Sequence, residues 1–153
     1  MENRKILVFS DCYIYGGSEK LMGFLLKNEI ISDNYTLLFA YRKHKDYELG
    51  LLNDCLLDRK NNFPLTLLSN ETLFHKINDL ALPKFFRSIF KVPLLILEKV
   101  KLYSIWNLLI FVLLLIRTKP GLIHINNGGY PGAKSCNVLV FANYLTIKAK
   151  IIY

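Results

Sequence analysis

Two glycine pairs stand in matching positions along this 153-residue chain. Gly16-Gly17-Ser18-Glu19 follows the apolar run Lys5 to Ser10 (KILVFS), and Asn127-Gly128-Gly129-Tyr130 follows Gly121 to Asn126 (GLIHIN). Each pair then leads into an amphipathic, helix-like stretch. A glycine pair at a helix start lets bare backbone amides approach a phosphate or sugar without a side chain in the way, and the helix end adds about half a positive charge. In an open α/β sheet such loops gather at the carboxyl ends of the strands, so two of them predict one cleft. The first loop offers Gly16, Gly17, Ser18 and Glu19 as binding residues. The second offers His124, Asn126, Asn127, Gly128, Gly129 and Tyr130. Glu19 also suits a first helical turn with no ligand at all, and the glycines suit a tight turn. Neither loop is a phosphate-binding G-K-[ST] loop, and no G-x-G-x-x-G dinucleotide fingerprint occurs, which disfavours a nucleotide-dependent oxidoreductase.

The elements that position these loops alternate. Strand-like runs cover 5–10, 35–41, 63–68, 122–126 and 150–153, and helical periodicity covers 18–31, 44–57 and 132–145. The first helix is expected to bury Leu21, Phe24 and Leu25, the second Leu49, Leu52 and Leu56, and the last Val138, Phe141, Ala142 and Leu145. Pro64 marks the third strand as an edge strand, and Pro83 and Pro93 are expected to divide the next segment into a short helix and a longer one ending near Thr118. Alternating strands and helices predict an α/β fold, a Rossmann-like parallel sheet of about five strands with helices on both faces. In the strand periodicity of 122–126, His124 and Asn126 share one face and Ile123 and Ile125 the other. Residues 150–153 read as a buried strand without cover, so a further segment or a partner is expected to complete the unit.

Between Lys84 and Lys119 lie seven cations and one anion, most of the net charge of +8. They alternate with Phe85, Phe86, Ile89 and Phe90 and then with the apolar run Leu102 to Ile116. Basic residues among aromatic and aliphatic ones describe a helical insertion lying on an anionic membrane surface. Lys84, Arg87, Lys91, Lys99, Lys101 and Trp106 are the expected contacts. A membrane span needs about 20 apolar residues, more than this run supplies unless flanking cations snorkel. A core helix with a solvated basic face fits the same pattern. Nucleic acid does not call for a long aliphatic run, and is disfavoured. Cys12, Cys55 and Cys136 are odd in number and too widely spaced for a zinc site, which fits free thiols in a reducing compartment, and no metal is expected. Ile6 to Phe9 is too short an apolar run for a signal peptide, so the expectation is a cytoplasmic protein, peripheral on the inner face of a membrane.

The leading strand, Gly16-Gly17-Ser18-Glu19, and the later Lys119-Pro120-Gly121-Leu122-Ile123-His124-Ile125-Asn126 together resemble the N-terminal domain of retaining glycosyltransferases of the two-domain B fold, the subfamily four-like group. The resemblance covers essentially the whole chain. It implies that 1–153 is the acceptor-side domain, with 84–119 as a membrane-facing insertion and a C-terminal donor domain, or a separate donor subunit, outside it. It implies transfer from a nucleotide sugar to a glycan or lipid-linked acceptor in cell-surface polysaccharide synthesis, with no cofactor beyond that donor substrate and no activity by this chain alone. Gly16 and Gly17 would approach the ligand, and His124 to Tyr130 would line the acceptor side. Gly121 stands where that family usually has Asp, and Asn126 where many members have a second His. An amide can hydrogen-bond a hydroxyl but cannot act as a base, so no catalytic residue is assigned. The alternative reading is a noncatalytic, membrane-associated Rossmann-like module.

Overall fold

A central strand, β1 (Arg4–Ser10), pairs on one side with β2 (Tyr35–Arg42) and on the other with β4 (Leu122–Asn126). β3 (Asn62–Leu65) and β5 (Lys150–Ile152) form the two edges, giving a five-stranded, all-parallel sheet in the order β3-β2-β1-β4-β5. The computed structural model describes residues 4–57, 60–126 and 134–153. This is the expected α/β, Rossmann-like arrangement. The strand order reverses between β1 and β4, which share the register Val8 to His124 and Ser10 to Asn126. Ligands of open α/β sheets collect at such a switch point.

Strict alternation along the central strands sends successive side chains into two cores. On one face Leu7, Phe9, Ile123 and Ile125 pack with Phe111, Leu115, Leu139 and Ala142 of helices α6 (Leu102–Thr118) and α7 (Lys134–Leu145). On the other, Val8, Phe39 and Tyr41 pack with Met22 and Leu26 of α1 (Gly17–Lys27) and Tyr47 and Leu51 of α3 (Lys45–Asn53). Between α1 and β2 the short α2 (Glu29–Asn34) begins at Asn28, whose side chain accepts the Ile31 N–H at 3.1 Å. That cap divides the single helix expected over 18–31 into two. From β3 the chain returns to β4 through α4 (Asn70–Asn78), α5 (Lys84–Lys99) and α6.

The helical period is as expected, but the phase differs in three helices. α1 buries Glu19, Met22, Gly23 and Leu26, while Leu21 and Phe24 are exposed. α3 buries Tyr47 and Leu51 and leaves Leu49 and Leu52 outside. α7 buries Ser135, Cys136, Leu139, Ala142 and Asn143, with Phe141 and Leu145 outside. In α1 and α7 the inward face includes residues that apolar periodicity does not count. Glu19 caps its own helix, and the Asn143 side chain bonds both the N–H and the C=O of Ala149 at 2.9 Å. Gly23 and Gly50 admit the Tyr15 side chain: a Cβ on Gly23 would lie 2.8 Å from the Tyr15 hydroxyl, and one on Gly50 would overlap the Tyr15 Cβ.

Other boundaries shift as well. The third strand ends at Leu65 rather than 68, and Pro64 does sit on an edge, opposite Tyr41. The second helix spans Lys45–Asn53 rather than 44–57. β5 is a partly exposed edge rather than a buried strand. Pro93 lies inside α5, where it removes one helical hydrogen bond without ending the helix. The chain turns instead at Val100–Lys101, where Lys101 adopts a left-handed φ of 61°, and α5 and α6 meet at 62°. Among the described residues no single helix is long and apolar enough to cross a membrane, although that bent pair matches a broken span in length and composition.

Candidate functional site

The first glycine loop caps α1 from within. Gly16 precedes the helix, and Glu19, two residues into its first turn after Gly17, reaches back so that its Oε2 accepts the Gly16 N–H at 3.2 Å and the Ser18 hydroxyl at 2.9 Å. Its Oε1 accepts the Asn126 amide at 3.3 Å. The carboxylate is only 2% exposed, so this contact ties α1 to the end of β4 across the switch point. The structure thus brings together Gly16, Ser18, Glu19 and Asn126 from the residues singled out in the sequence. Gly17 has ordinary backbone angles, and a Cβ built there would meet none of the described atoms within 4 Å. Among the described residues, the space beside its backbone is therefore open. His124 points to the α1 side of the sheet, opposite Ile123 and Ile125, and burial lowers its pKa by disfavouring the charged imidazolium. Asn127, Gly128, Gly129 and Tyr130 lie outside the described residues.

A second set of groups, not legible as a motif, occupies the same carboxyl edge. Asp11 follows β1 and Arg42 ends β2, and the Asp11 carboxylate takes a two-pronged ion pair from the Arg42 guanidinium, with the second contact at 3.2 Å. The Ser135 hydroxyl, at the start of α7, donates to the same carboxylate. Arg42 also donates to the Leu67 carbonyl at 2.8 Å and to Thr72 at 3.1 Å, and lies 4.9 Å over the Tyr13 ring. Burial opposes the charge on Arg42, but the Asp11 carboxylate outweighs it and holds the guanidinium more firmly protonated than usual. Tyr13 in turn bonds Ser69 and Thr72 at 2.7 and 3.1 Å. One ion pair therefore braces the ends of β1 and β2 against the loop after β3 and the starts of α4 and α7.

Beside this brace opens a cleft of about 530 Å³, within the range of small-molecule sites. Its lining includes Asp11, Tyr13, Arg42, Asn70, Ser104 and Lys134. Asn107, buried in α6, fixes one wall by bonding both the N–H and the C=O of Leu68 at 2.8 and 2.9 Å. Glu98, near the end of α5, bridges the rim by accepting from both Asn70 and Lys134. Among the described residues no three His, Cys, Asp or Glu side chains are placed to hold a metal ion.

The surface beyond the cleft inverts the usual pattern. α5 buries no residue. Its cations Arg87 and Lys91 turn toward α4, where Arg87 donates to the Asn78 carbonyl at 3.2 Å and the Lys91 ammonium stands 5.4 Å from the Phe74 ring. Phe85, Phe86, Ile89, Phe90, Val92 and Ile96 face outward, Phe85 being 71% exposed. α6 buries Phe111 and Leu115 against the sheet and Tyr103 and Asn107 beside the cleft, while Ile105, Trp106, Leu109 and Leu113 face outward. The run from Leu102 is thus a core helix on one side and an exposed apolar face on the other. Lys84, Lys99 and Lys101 are exposed at the ends of α5.

Burial also sets the alkaline limit of the fold. It pushes the Cys136 thiol and the Tyr41 hydroxyl each up to about 12, and raises Tyr15 and Tyr47 further. The folded chain keeps these protons after the unfolded chain has begun to release them, near 9 for cysteine and 10 for tyrosine. The unfolded state then binds fewer protons, so stability falls as pH rises. Urea midpoints should show no loss from these groups between pH 6 and 8 and a decline above about pH 9. A midpoint unchanged at pH 10.5 would contradict the burial of these groups.

No family model, no curated protein and no solved structure matches the chain.

Proposed function

We propose that this chain is the acceptor-side half of a glycosyltransferase, moving a sugar from a nucleotide sugar to a glycan or lipid-linked acceptor in cell-surface polysaccharide synthesis. It works docked on the inner, anionic face of a membrane, and a second domain or subunit supplies the donor site. The observation that carries this reading is the junction of the Gly16–Gly17 loop with the end of β4 at the switch point of a parallel sheet, where ligands of such sheets bind. The open space beside Gly17 supports it, since a donor diphosphate could approach the backbone there. Membrane docking is supported by α5, whose apolar side chains face outward while two of its cations turn inward. An outward apolar face with cations at its ends suits lipid tails below and anionic head groups around them.

The test is Gly17→Val in the assembled enzyme with its donor half. The backbone angles accept a branched residue and no described atom obstructs it, so folding should be kept. Activity should fall about tenfold or more, equivalent to about 1.4 kcal/mol of lost transition-state stabilisation, with little change in Tm. A stable, fully active variant would reduce the loop to a helix cap.

A noncatalytic membrane-associated module is the second reading, and one observation favours it. Glu19 already fills the α1 start and satisfies the Gly16 N–H, as a purely structural cap would. The Gly17→Val outcome separates the two.

A further inference from the structure

We propose that the cleft beneath Glu98 binds the uncharged, hydroxyl-rich head group of an amphiphile whose apolar chain leaves over the α5–α6 elbow. Naming that amphiphile as the sugar acceptor rests on the glycosyltransferase reading; the binding itself does not.

Charge among the described lining residues disfavours the ligand most often found at a carboxyl sheet edge. Arg42 is paired with Asp11 in the interior, Lys134 is paired with Glu98 at the exposed rim, and Glu71 adds a further carboxylate to the lining. A phosphate entering there would find no unpaired cation among the described lining residues and would face a surplus negative charge. A neutral polyol meets no such penalty, and the lining of hydroxyls and amides, with Leu68 and Val138 for its C–H faces, suits one.

Asn70 lines the cleft and gives its Nδ2 to Glu98, which holds its amide in one orientation at the rim.

The exit explains why the ligand is an amphiphile. Glu98 on α5 and Ser104 on α6 both line the cleft, and between them lies the turn at Val100 and Lys101. Val100 and Leu102 are exposed there, continuous in sequence with the outward apolar faces of both helices. Tyr103 locks the elbow by donating to the Leu94 carbonyl at 3.0 Å. A head group in the cleft therefore sits at the edge of the surface proposed to meet the bilayer, where an attached chain enters lipid without crossing water.

Isothermal titration with monomeric n-octyl glycosides (gluco, galacto and manno), kept below their critical micelle concentrations, tests this on the wild-type chain. At least one octyl glycoside should bind about tenfold or more tightly than octanol, octyl phosphate or the free sugar. Ser104→Leu fills the cleft from a half-buried position in the first turn of α6 and should weaken that binding about tenfold or more at little changed Tm, and Asn70→Ala should weaken it as well. Octyl phosphate binding as tightly as the glycosides, no glycoside binding, or binding indifferent to Ser104→Leu would each overturn the proposal. Glycoside binding by a chain whose assembled enzyme transfers no sugar would sink the glycosyltransferase reading and keep the cleft. Sugar transfer insensitive to Ser104→Leu would keep the glycosyltransferase reading and overturn the naming of the cleft's ligand as its acceptor.

Discussion

Arg42→Met should lower the stability of the fold by about 3–5 kcal/mol, the usual cost of removing one partner of a buried ion pair. The Arg42 and Asp11 side chains are 5% and 2% exposed, so the truncation leaves a carboxylate out of water with, among the described residues, the Ser135 hydroxyl as its remaining side-chain donor. The Leu67 carbonyl and Thr72 lose their donor at the same time. Because the pair joins two strand ends to three following segments, its loss also loosens the edge on which both candidate sites are built. The double variant Arg42→Met with Asp11→Leu should recover much of the loss, since an apolar pair of similar size carries no desolvated charge. Urea unfolding of the two single variants and the double variant measures this. A single-variant loss below about 1 kcal/mol would mean that the pair behaves as an exposed one.

The second large effect belongs to the outward face of α5. Wild-type chain should bind vesicles containing phosphatidylglycerol and release them progressively as salt rises, since each surface cation such as Lys84, Lys99 or Lys101 contributes about 1 kcal/mol. Phe86→Asp with Phe90→Asp should reduce the vesicle partition coefficient about 100-fold or more. Inserting a phenyl group is worth roughly 1.5–3 kcal/mol, and each replacement adds a charge repelled by the same surface. The fold should be unaffected, because both side chains are half exposed and α5 buries no residue. Equal vesicle binding by wild type and variant would show that the face meets something other than lipid. Binding that resists both salt and carbonate would instead point to the bent α5–α6 pair entering the bilayer.

The sheet was legible because its strands are short apolar runs bounded by turn residues, and its parallel order followed from their alternation with helices. The helix faces were not. In α1 the inward positions 19, 22, 23 and 26 keep the helical spacing, yet a capping Glu and a Gly that admits Tyr15 stand at two of them. Apolar counting then selects Leu21 and Phe24, which lie outside. On α5 the apolar residues mark an exposed face, as the reading of that segment as a surface-lying helix expects. The Gly16–Glu19 loop and Asn126 were recognisable because a glycine pair and a carboxylate at a helix start carry local chemistry. Asp11 and Arg42 were not, since they are 31 positions apart and become partners only through the β1–β2 register that ends at Ser10 and Tyr41. The available signal was a charged residue closing each of two apolar strands, Asp11 after Ser10 and Arg42 after Tyr41. The cleft is less legible still, because Glu98 and Ser104 meet through the turn at Lys101 and Lys134 reaches them from the start of α7, beyond β4.

Sugar transfer by the chain together with its cellular partners tests the central claim most directly. The tagged chain, recovered from gently solubilised membranes of its own cells, would be incubated with radiolabelled UDP-glucose, UDP-galactose, UDP-N-acetylglucosamine and GDP-mannose in the presence of the same cells' lipid extract. Label from at least one donor should enter the lipid or polysaccharide fraction. The chain purified alone should transfer none, and the Gly17→Val chain recovered in the same way should transfer about tenfold less or lower still. Transfer by the isolated chain, or no transfer from any of these donors by the recovered assembly, would contradict the assignment of this chain as the acceptor-side half of a glycosyltransferase.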